Sequence, residues 1–307
     1  MEIIADTTQF YLERDTAVAI GKFDGLHIGH RRLLDEILEQ KKNGLAACVF
    51  TFDPAPAVLF GASDGRELMT REEKRAQLER MGVDILVEFP LSMQTAAIEP
   101  EVFVSEILAK QMNVRFIAAG TDLSFGAKGR GNAELLQQKA GEFDYQVKTI
   151  DKVKYGDREI SSTYVREQVE AGNMLLVEQL LGRPYTIMGT VVHGNRIGRT
   201  LGMPTVNVLP PENKLMPPCG VYYSRVWHRG KRYCAISNVG YKPTVTNERV
   251  MGVEAYIYDF HEEIYGEEIE IGLLEFRRPE QKFAGLEELK KQLAMDIEAG
   301  GKKAVDG

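Results

Sequence analysis

Cysteine is scarce in this chain: Cys48, Cys219 and Cys234 are widely spaced and odd in number. No Cys-x-x-Cys pair occurs, so no dense disulfide framework is encoded, and reduced thiols in a cytoplasmic setting are expected. Long apolar runs are missing as well. No stretch approaches the roughly 20 residues needed to span a bilayer, and Met1-Glu-Ile-Ile-Ala-Asp6 has no basic leader character. Basic charge is in deficit, with 38 Lys and Arg against 45 Asp and Glu, a net charge of −7. That balance argues against nucleic acid or a membrane surface as the main partner. Anionic small molecules stay open, because local fields differ from the net charge. The first half lacks both a Gly-x-Gly-x-x-Gly fingerprint and a Walker A loop, which argues against the dinucleotide-binding and P-loop versions of an α/β fold. Internal repeats and low-complexity segments are absent too. A monomer or weak homo-oligomer is expected.

At 307 residues the chain is long for a single core, and its 44% hydrophobic content suffices for two globular domains. Up to about residue 183 strand and helix signals alternate. Thr16–Ile20, Ala46–Phe52, Asp84–Phe89, Arg115–Gly120 and Tyr145–Ile150 read as strands. Helices are predicted from His30, from a capping box at Thr70-Arg-Glu-Glu73, from Pro100, and over Gly131–Gly141. Such alternation predicts a parallel sheet with ligands at the carboxyl ends of its strands. After Gly182-Arg-Pro-Tyr185 the pattern becomes short alternating strands, with a hairpin turn at His228-Arg-Gly-Lys231. A helix over Leu286–Glu298, with Leu286, Leu289 and Leu293 on one face, and a frayed tail from Gly300 follow. The expected fold class is therefore α/β: a parallel-sheet domain over residues 1–183, then a small antiparallel β-barrel with a terminal helix over 184–307.

Three segments carry chemistry. Gly21-Lys-Phe-Asp-Gly-Leu-His-Ile-Gly-His30 lies at a strand-to-helix turn. A helix N-terminus there favours bound phosphate, and Gly29 lets backbone come close to a ligand. His27 and His30, two of only five histidines, are three apart and can address one anion. The alternative is a glycine-rich turn with incidental histidines. In Ile160-Ser-Ser-Thr-Tyr-Val-Arg166, Ser162 or Thr163 could cap a helix, and the hydroxyls with Arg166 make a second anion site. In the barrel, Gly198 and Gly202 bracket a basic loop containing Arg199, which suits a phosphate cradle. Thr205 and Asn207 point the same way on an extended run, and can help hold a hard cation beside phosphates. Glu254 shares a strand face with Tyr256 and Tyr258; a solvated strand glutamate is the plain alternative.

Taken together, these segments resemble a known family. His27-Ile-Gly-His30 resembles the His-x-Gly-His motif of nucleotidyltransferases, and Ile160–Arg166 is similar to the Ile-Ser-Ser-Thr-x-x-Arg motif of flavin adenylyltransferases. Gly120-Thr-Asp-Leu-Ser-Phe-Gly126 resembles that family's flavin-proximal loop, with Leu123 where an aromatic is usual. Asp53-Pro-Ala-Pro56 resembles its Asp-Pro-His-Pro turn, with Ala55 in place of histidine. Gly198-Arg-Thr-Leu-Gly-Met-Pro-Thr-Val-Asn207 closely resembles the riboflavin kinase motif. Tyr265-Gly266 and Arg277–Phe283 fit the same family, while Tyr256 and Lys242 replace a usual histidine and arginine. The order of motifs resembles the bacterial bifunctional riboflavin kinase/FMN adenylyltransferases.

That resemblance implies two reactions. In the barrel, ATP would phosphorylate the riboflavin 5′-hydroxyl to give FMN. Glu254 would act as base, Thr205 and Asn207 would hold Mg²⁺, and Gly198, Arg199 and Gly202 would cradle the phosphates. In the α/β domain, FMN would attack a second ATP to give FAD and pyrophosphate. His27, His30 and Arg166 would be catalytic there; Gly21, Phe23, Asp24, Gly29, Ser162 and Thr163 would bind nucleotide, and Asp122 and Phe125 flavin. Two rivals are a nucleotidyltransferase for another phosphorylated substrate, against which the kinase-like barrel argues, and an inactive flavin-binding regulator, which would need degraded motifs.

Overall fold

The computed structural model describes residues 1–61, 64–194, 202–243 and 249–305. The chain divides into two compact units, Met1–Ser162 and Thr163–Gly307.

The first unit is built on a six-stranded parallel sheet of β1 (Glu2–Ala5), β2 (Thr16–Ile20), β3 (Ala46–Asp53), β4 (Ile85–Pro90), β5 (Val114–Gly120) and β6 (Gln146–Ile150). Every residue of β2 is buried, as a strand covered on both faces requires, whereas β1 and β6 are largely exposed edges. Helices α1 (Ile28–Glu39), α2 (Pro56–Leu59), α3 (Arg71–Arg80), α4 (Pro100–Val102, continuing with wider turns over Phe103–Gln111) and α5 (Ala133–Phe143) link the strands. One face of the sheet packs Ile20, Phe50, Phe89 and Phe103, the other Ala19, Leu34, Ile37 and Phe116. The capping box is present: Thr70 Oγ1 accepts from the Glu73 N–H at 3.2 Å, and Glu73 Oε2 accepts from the Thr70 N–H at 3.0 Å. Helix α5 runs through Gly141, against the expected stop there. An exposed mid-helix glycine costs only about 1 kcal/mol, and Phe143 beyond it still packs on the core.

The strand order is β1-β4-β3-β2-β5-β6. From β2 the chain steps outward through β3 and β4, then returns past β2 to β5 and steps the other way to β6. The links leaving β2 and β5 therefore diverge, which opens a crevice at their carboxyl ends. The Gly21–His30 and Gly120–Gly126 segments are those two links.

The second unit carries α6 (Ser162–Glu170, whose first residue ends the first unit), α7 (Met174–Leu181) and a barrel. A separate two-residue ladder, β7 (Lys154–Tyr155) with β8 (Arg158–Glu159), precedes α6. The barrel strands are β9 (Tyr185–Val192), β10 (Val206–Val208), β11 (Gly220–His228), β12 (Lys231–Pro243), β13 (Arg249–Ile257) and β14 (Glu268–Pro279). They close antiparallel in the order β10-β13-β12-β11-β14-β9. The β11–β12 hairpin turns on Arg229 and Gly230, both at positive φ (47° and 74°), as a two-residue turn between twisted strands demands.

Terminal helix α8 spans Leu286–Val305, so the tail is helical through Val305 rather than frayed from Gly300. The expected leucine face is only partly used, with Leu289 and Leu293 half-buried. Leu286 is 61% exposed, whereas Asp296 is buried and takes Arg277 Nε at 3.0 Å and Arg278 NH2 at 2.5 Å. The Tyr258 hydroxyl adds a hydrogen bond to the Ile297 carbonyl at 2.6 Å. A buried carboxylate gripped by two guanidiniums is invisible to a search for apolar periodicity.

Candidate active sites

In the α/β unit the loop after β2 makes a compact platform. Gly21 N–H donates to the Phe50 carbonyl at 3.1 Å, so the loop leaves β2 still tied to β3. Phe23, Gly25 and Leu26 then take positive φ, and the chain turns back into α1. His27 is the N-cap residue: its Nδ1 accepts the backbone N–H of His30 at 3.3 Å. An accepting Nδ1 carries no proton, so neutral His27 bears its proton on Nε2, as a donor. Burial pulls the His27 pKa down to about 4, against the opposing fields of Asp24 and Asp122. The His30 ring stacks on His27 with centroids 3.7 Å apart and lies 5.2 Å from Phe23. Burial first, then His27 and Lys74, hold His30 well below the usual histidine value. Both imidazoles are thus neutral at pH 7.

Two features match an anion site. His30 Nδ1 is buried with no hydrogen-bond partner among the described residues, an arrangement that costs about 1–3 kcal/mol until a ligand or water meets it. Lys74, on α3, brings a cation whose field reaches His30. No motif in the sequence signalled Lys74; only the fold brings it close. Gly29 lies close under His27: a Cβ there would lie 3.1 Å from the imidazole, a tight contact. The close approach expected of a ligand is made, in this structure, by the histidine ring.

Asp24 ties segments together. Its carbonyl accepts from the Ser162 hydroxyl at 2.9 Å, and its Oδ1 accepts from the Leu68 N–H at 2.9 Å. Ser162 is the first residue of α6, inside the helix, so its side chain fastens the loop rather than capping. Thr163 and Arg166 follow on the same helix. The link after β5 places Asp122 65% exposed, paired with Lys152 at 3.4 Å. Phe125 is buried, 5.2 Å from Phe103, and its ring fills the space beside Gly131. It shapes the loop from inside the core. Leu123 also packs on that core. Ala55 precedes α2 and offers no side-chain cap.

In the barrel the candidate residues meet through strand register. Asn207 on β10 stands opposite Glu254 on β13. Thr205, just before β10, donates its hydroxyl to Glu254 Oε1 at 2.6 Å. Asn207 is 8% exposed, and its amide lies against Gly194, where a Cβ would come within 2.5 Å of Nδ2. Thr205 and Asn207, with Gly194, Gly202, Phe260 and Tyr265, border a cavity of about 270 Å³. The His193 ring lies against Tyr265, centroids 3.8 Å apart and planes tilted by 36°. Gly198 and Arg199 lie outside the described residues. Among the described residues no three His, Cys, Asp or Glu gather to hold a metal. The hydroxyl oxygen of Thr205 and the amide oxygen of Asn207 fit a hard cation whose remaining ligands come from phosphate and water.

Residues 10–164 match the FAD synthetase family and residues 181–303 the riboflavin kinase family. Among the described residues, no helix is long and apolar enough to cross a membrane. A crystal structure described as a macrolide-efflux protein from Streptococcus pneumoniae superposes with a TM-score of 0.84 at 31% identity, covering 97% of both chains. The bifunctional riboflavin kinase/FMN adenylyltransferase of Listeria monocytogenes is 36% identical, over 94% of this chain and 93% of that protein. The enzyme of the same name from Escherichia coli K12 is 38% identical over 91% and 90%, and that of Bacillus subtilis 34% identical over 92% and 90%. With both domains matched in the same order, and relatives that align along nine-tenths of its length, this chain belongs to the family of bifunctional riboflavin kinase/FMN adenylyltransferases.

Proposed function

We propose that the chain makes FAD in two steps divided between its units: the barrel phosphorylates riboflavin with ATP, and the α/β unit adenylylates the FMN formed. Residues 1–183 form the adenylyltransferase domain in this reading, and residues 184–307 the kinase domain. The observation that carries it is the pairing of two unlike sites in one chain. A crevice of neutral stacked histidines stands at the sheet's switch point, and Thr205 and Asn207 border a barrel cavity, with Glu254 hydrogen-bonded to Thr205 and paired in register with Asn207.

In the kinase step Glu254 accepts the proton of the riboflavin 5′-hydroxyl as its oxygen attacks the γ-phosphorus of ATP, and ADP leaves. The Thr205 hydroxyl orients that carboxylate through its 2.6 Å hydrogen bond. Thr205 and Asn207 would hold Mg²⁺, whose chemistry when bound is to neutralise phosphate charge. Phosphoryl transfer of this kind depends chiefly on positioning and charge neutralisation.

In the adenylyl step a phosphate oxygen of FMN attacks the α-phosphorus of ATP, and pyrophosphate leaves. A phosphate monoester is already anionic at neutral pH, so no strong base is needed. This agrees with histidines whose pKa is too low for base work but which still donate hydrogen bonds. His27 and His30 stabilise the charge that develops on the transferring group. Lys74 adds positive potential, Gly21, Phe23, Asp24, Gly29 and Ser162 shape the nucleotide loop, and Thr163 and Arg166 complete the set. Asp122 and Phe125 serve the flavin side, Asp122 by contact and Phe125 by holding its loop.

Incubation of the purified chain with riboflavin and MgATP, followed by separation of flavins, tests the reading. FMN should appear first and FAD after it. FAD formation from supplied FMN without any FMN formation from riboflavin would remove the kinase assignment. Binding of flavin with neither product would favour a regulator.

A further inference from the structure

One wall of the barrel cavity is not made by a strand. Between β13 and β14 the chain runs from Tyr258 to Glu267, and the six residues Phe260–Tyr265 all border the cavity. A connection of this length needs fastening to keep one shape. Its last residues are tied by backbone: Gly266 N–H donates to the Val191 carbonyl, and Val191 N–H to the Glu267 carbonyl, both at 2.9 Å.

Side chains of the β11–β12 hairpin supply the rest. His228, buried at 3% exposure, shares a 2.7 Å hydrogen bond between Nε2 and Glu267 Oε2. Arg229 donates to the other oxygen, Glu267 Oε1, at 2.7 Å, and pairs with Glu262 at 3.8 Å. The Phe260 ring meets His228 and Tyr233 edge-on, at 5.9 and 5.1 Å. The hairpin therefore grips the wall at Phe260, at Glu262 and at Glu267.

The turn itself gives a second, independent observation. Arg229 sits at φ 47°, in the left-handed region, which costs a residue with an ordinary side chain about 1–2 kcal/mol. Asparagine or glycine would suit the position better. An arginine held there against backbone preference is one whose guanidinium is in use.

We infer that His228 and Arg229 are positioning residues for the phosphate donor of the barrel reaction: through Glu267 and Glu262 they hold the Phe260–Tyr265 wall in the shape that receives ATP. This rests on the reading that the cavity takes the ATP of the kinase step. A purely structural role would make these residues matter to stability and to both substrates alike.

The test uses the full chain and steady-state kinetics of FMN formation, with FAD formation from supplied FMN as the internal control. In Glu267→Ala the KM for MgATP should rise roughly tenfold, as loss of a hydrogen bond to a charged group implies. In Arg229→Asn it should rise about threefold, the scale of an exposed ion pair. In both variants kcat, the KM for riboflavin and FAD formation should stay near parent values. Glu267→Gln should recover part of the loss, because an amide oxygen still accepts. The melting temperature of Arg229→Asn should equal or exceed the parent's, since the turn is relieved. A melting temperature and kcat that fall together in Arg229→Asn would overturn the proposal in favour of a structural role. A rise confined to the riboflavin KM would overturn it as well, and so would parent-like kinetics in Glu267→Ala. Failure of the parent chain to make FMN would instead defeat the kinase reading beneath it.

Discussion

In the α/β unit the candidate residues sit on loops or in the first turns of helices, whereas in the barrel Asn207 and Glu254 sit on paired strands. The first arrangement depends on backbone shape. Positive φ at Phe23, Gly25 and Leu26 turns the loop so that His27 can cap α1 and stack on His30. The second depends on register: a one-residue slip of β10 against β13 would turn Asn207 away from Glu254. The two sites also differ in charge logic. The crevice offers uncharged imidazoles, with the cation of Lys74 near them; the barrel offers the oxygens of Thr205, Asn207 and Glu254. In the proposed reading one steadies a group in transfer and the other activates a hydroxyl.

The largest separation of the two should come from Glu254→Gln. It removes the base and keeps size and hydrogen bonding, so FMN formation should fall about 10²–10⁴-fold. FAD formation from supplied FMN and the melting temperature should not move. Undiminished kinase turnover in a stable variant would end the base assignment. The mirror experiment is His27→Ala or His30→Ala. Adenylyl transfer should fall roughly a hundred- to a thousandfold, the scale of lost charge stabilisation in a transition state, while FMN formation continues. A folded double variant that still makes FAD at the parent rate would take both histidines out of the mechanism.

A smaller effect probes the barrel alone. In Gly194→Ala the new methyl would press on the Asn207 amide. Overpacking of this kind costs about 1–3 kcal/mol, so FMN formation should drop by about tenfold, with a raised Mg²⁺ requirement. An unchanged Mg²⁺ titration would detach Asn207 from the cation.

The gentlest difference is in pH response. The folded pKa of His27 lies below its ordinary value, so the unfolded chain takes up that proton first as pH falls. Stability contributed by the neutral, buried form is whole above about pH 6.5 and is lost as pH drops toward about 4, by at most about 1.4 kcal/mol per pH unit. Urea unfolding at pH 7, 6 and 5 should show His27→Asn losing less stability than the parent over that range. Equal slopes would mean that His27 is not buried neutral.

Much of this was legible in the sequence, and for physical reasons. Continuous apolar runs such as Thr16–Ile20 read as covered parallel strands and are so. The His228–Lys231 turn was evident because a glycine, Gly230, falls between two strand-like runs. Thr205, Asn207 and Glu254 could be singled out by alternation and resemblance; their meeting is a matter of pairing, and the structure supplied it. What stayed hidden was long-range and polar. Lys74 reaches His30 only through the packing of α3. Asp296 holds α8 with two arginines from β14, a contact with no periodic signature; of the expected leucine face, Leu289 and Leu293 are half-buried and only Leu286 faces solvent. Ser162 looked like a helix cap because its residue type favours caps; its hydroxyl instead ties down Asp24.

Strand β10 is only three residues long, and it meets β9 through just two register pairs, Asn207 with Val192 and Val208 with Val191. Among the described residues every other seam of the barrel is longer, with three pairs for β10 with β13 and six or more elsewhere. Opening of a barrel begins where the fewest backbone hydrogen bonds must break, and here that place carries Asn207. The amides of Val206–Val208 should therefore exchange with deuterium ahead of those in β11 and β12. Saturating MgATP should slow them more than any other strand. The barrel's thinnest seam and its proposed reaction site are the same few residues, so substrate would act as the stitch that closes it.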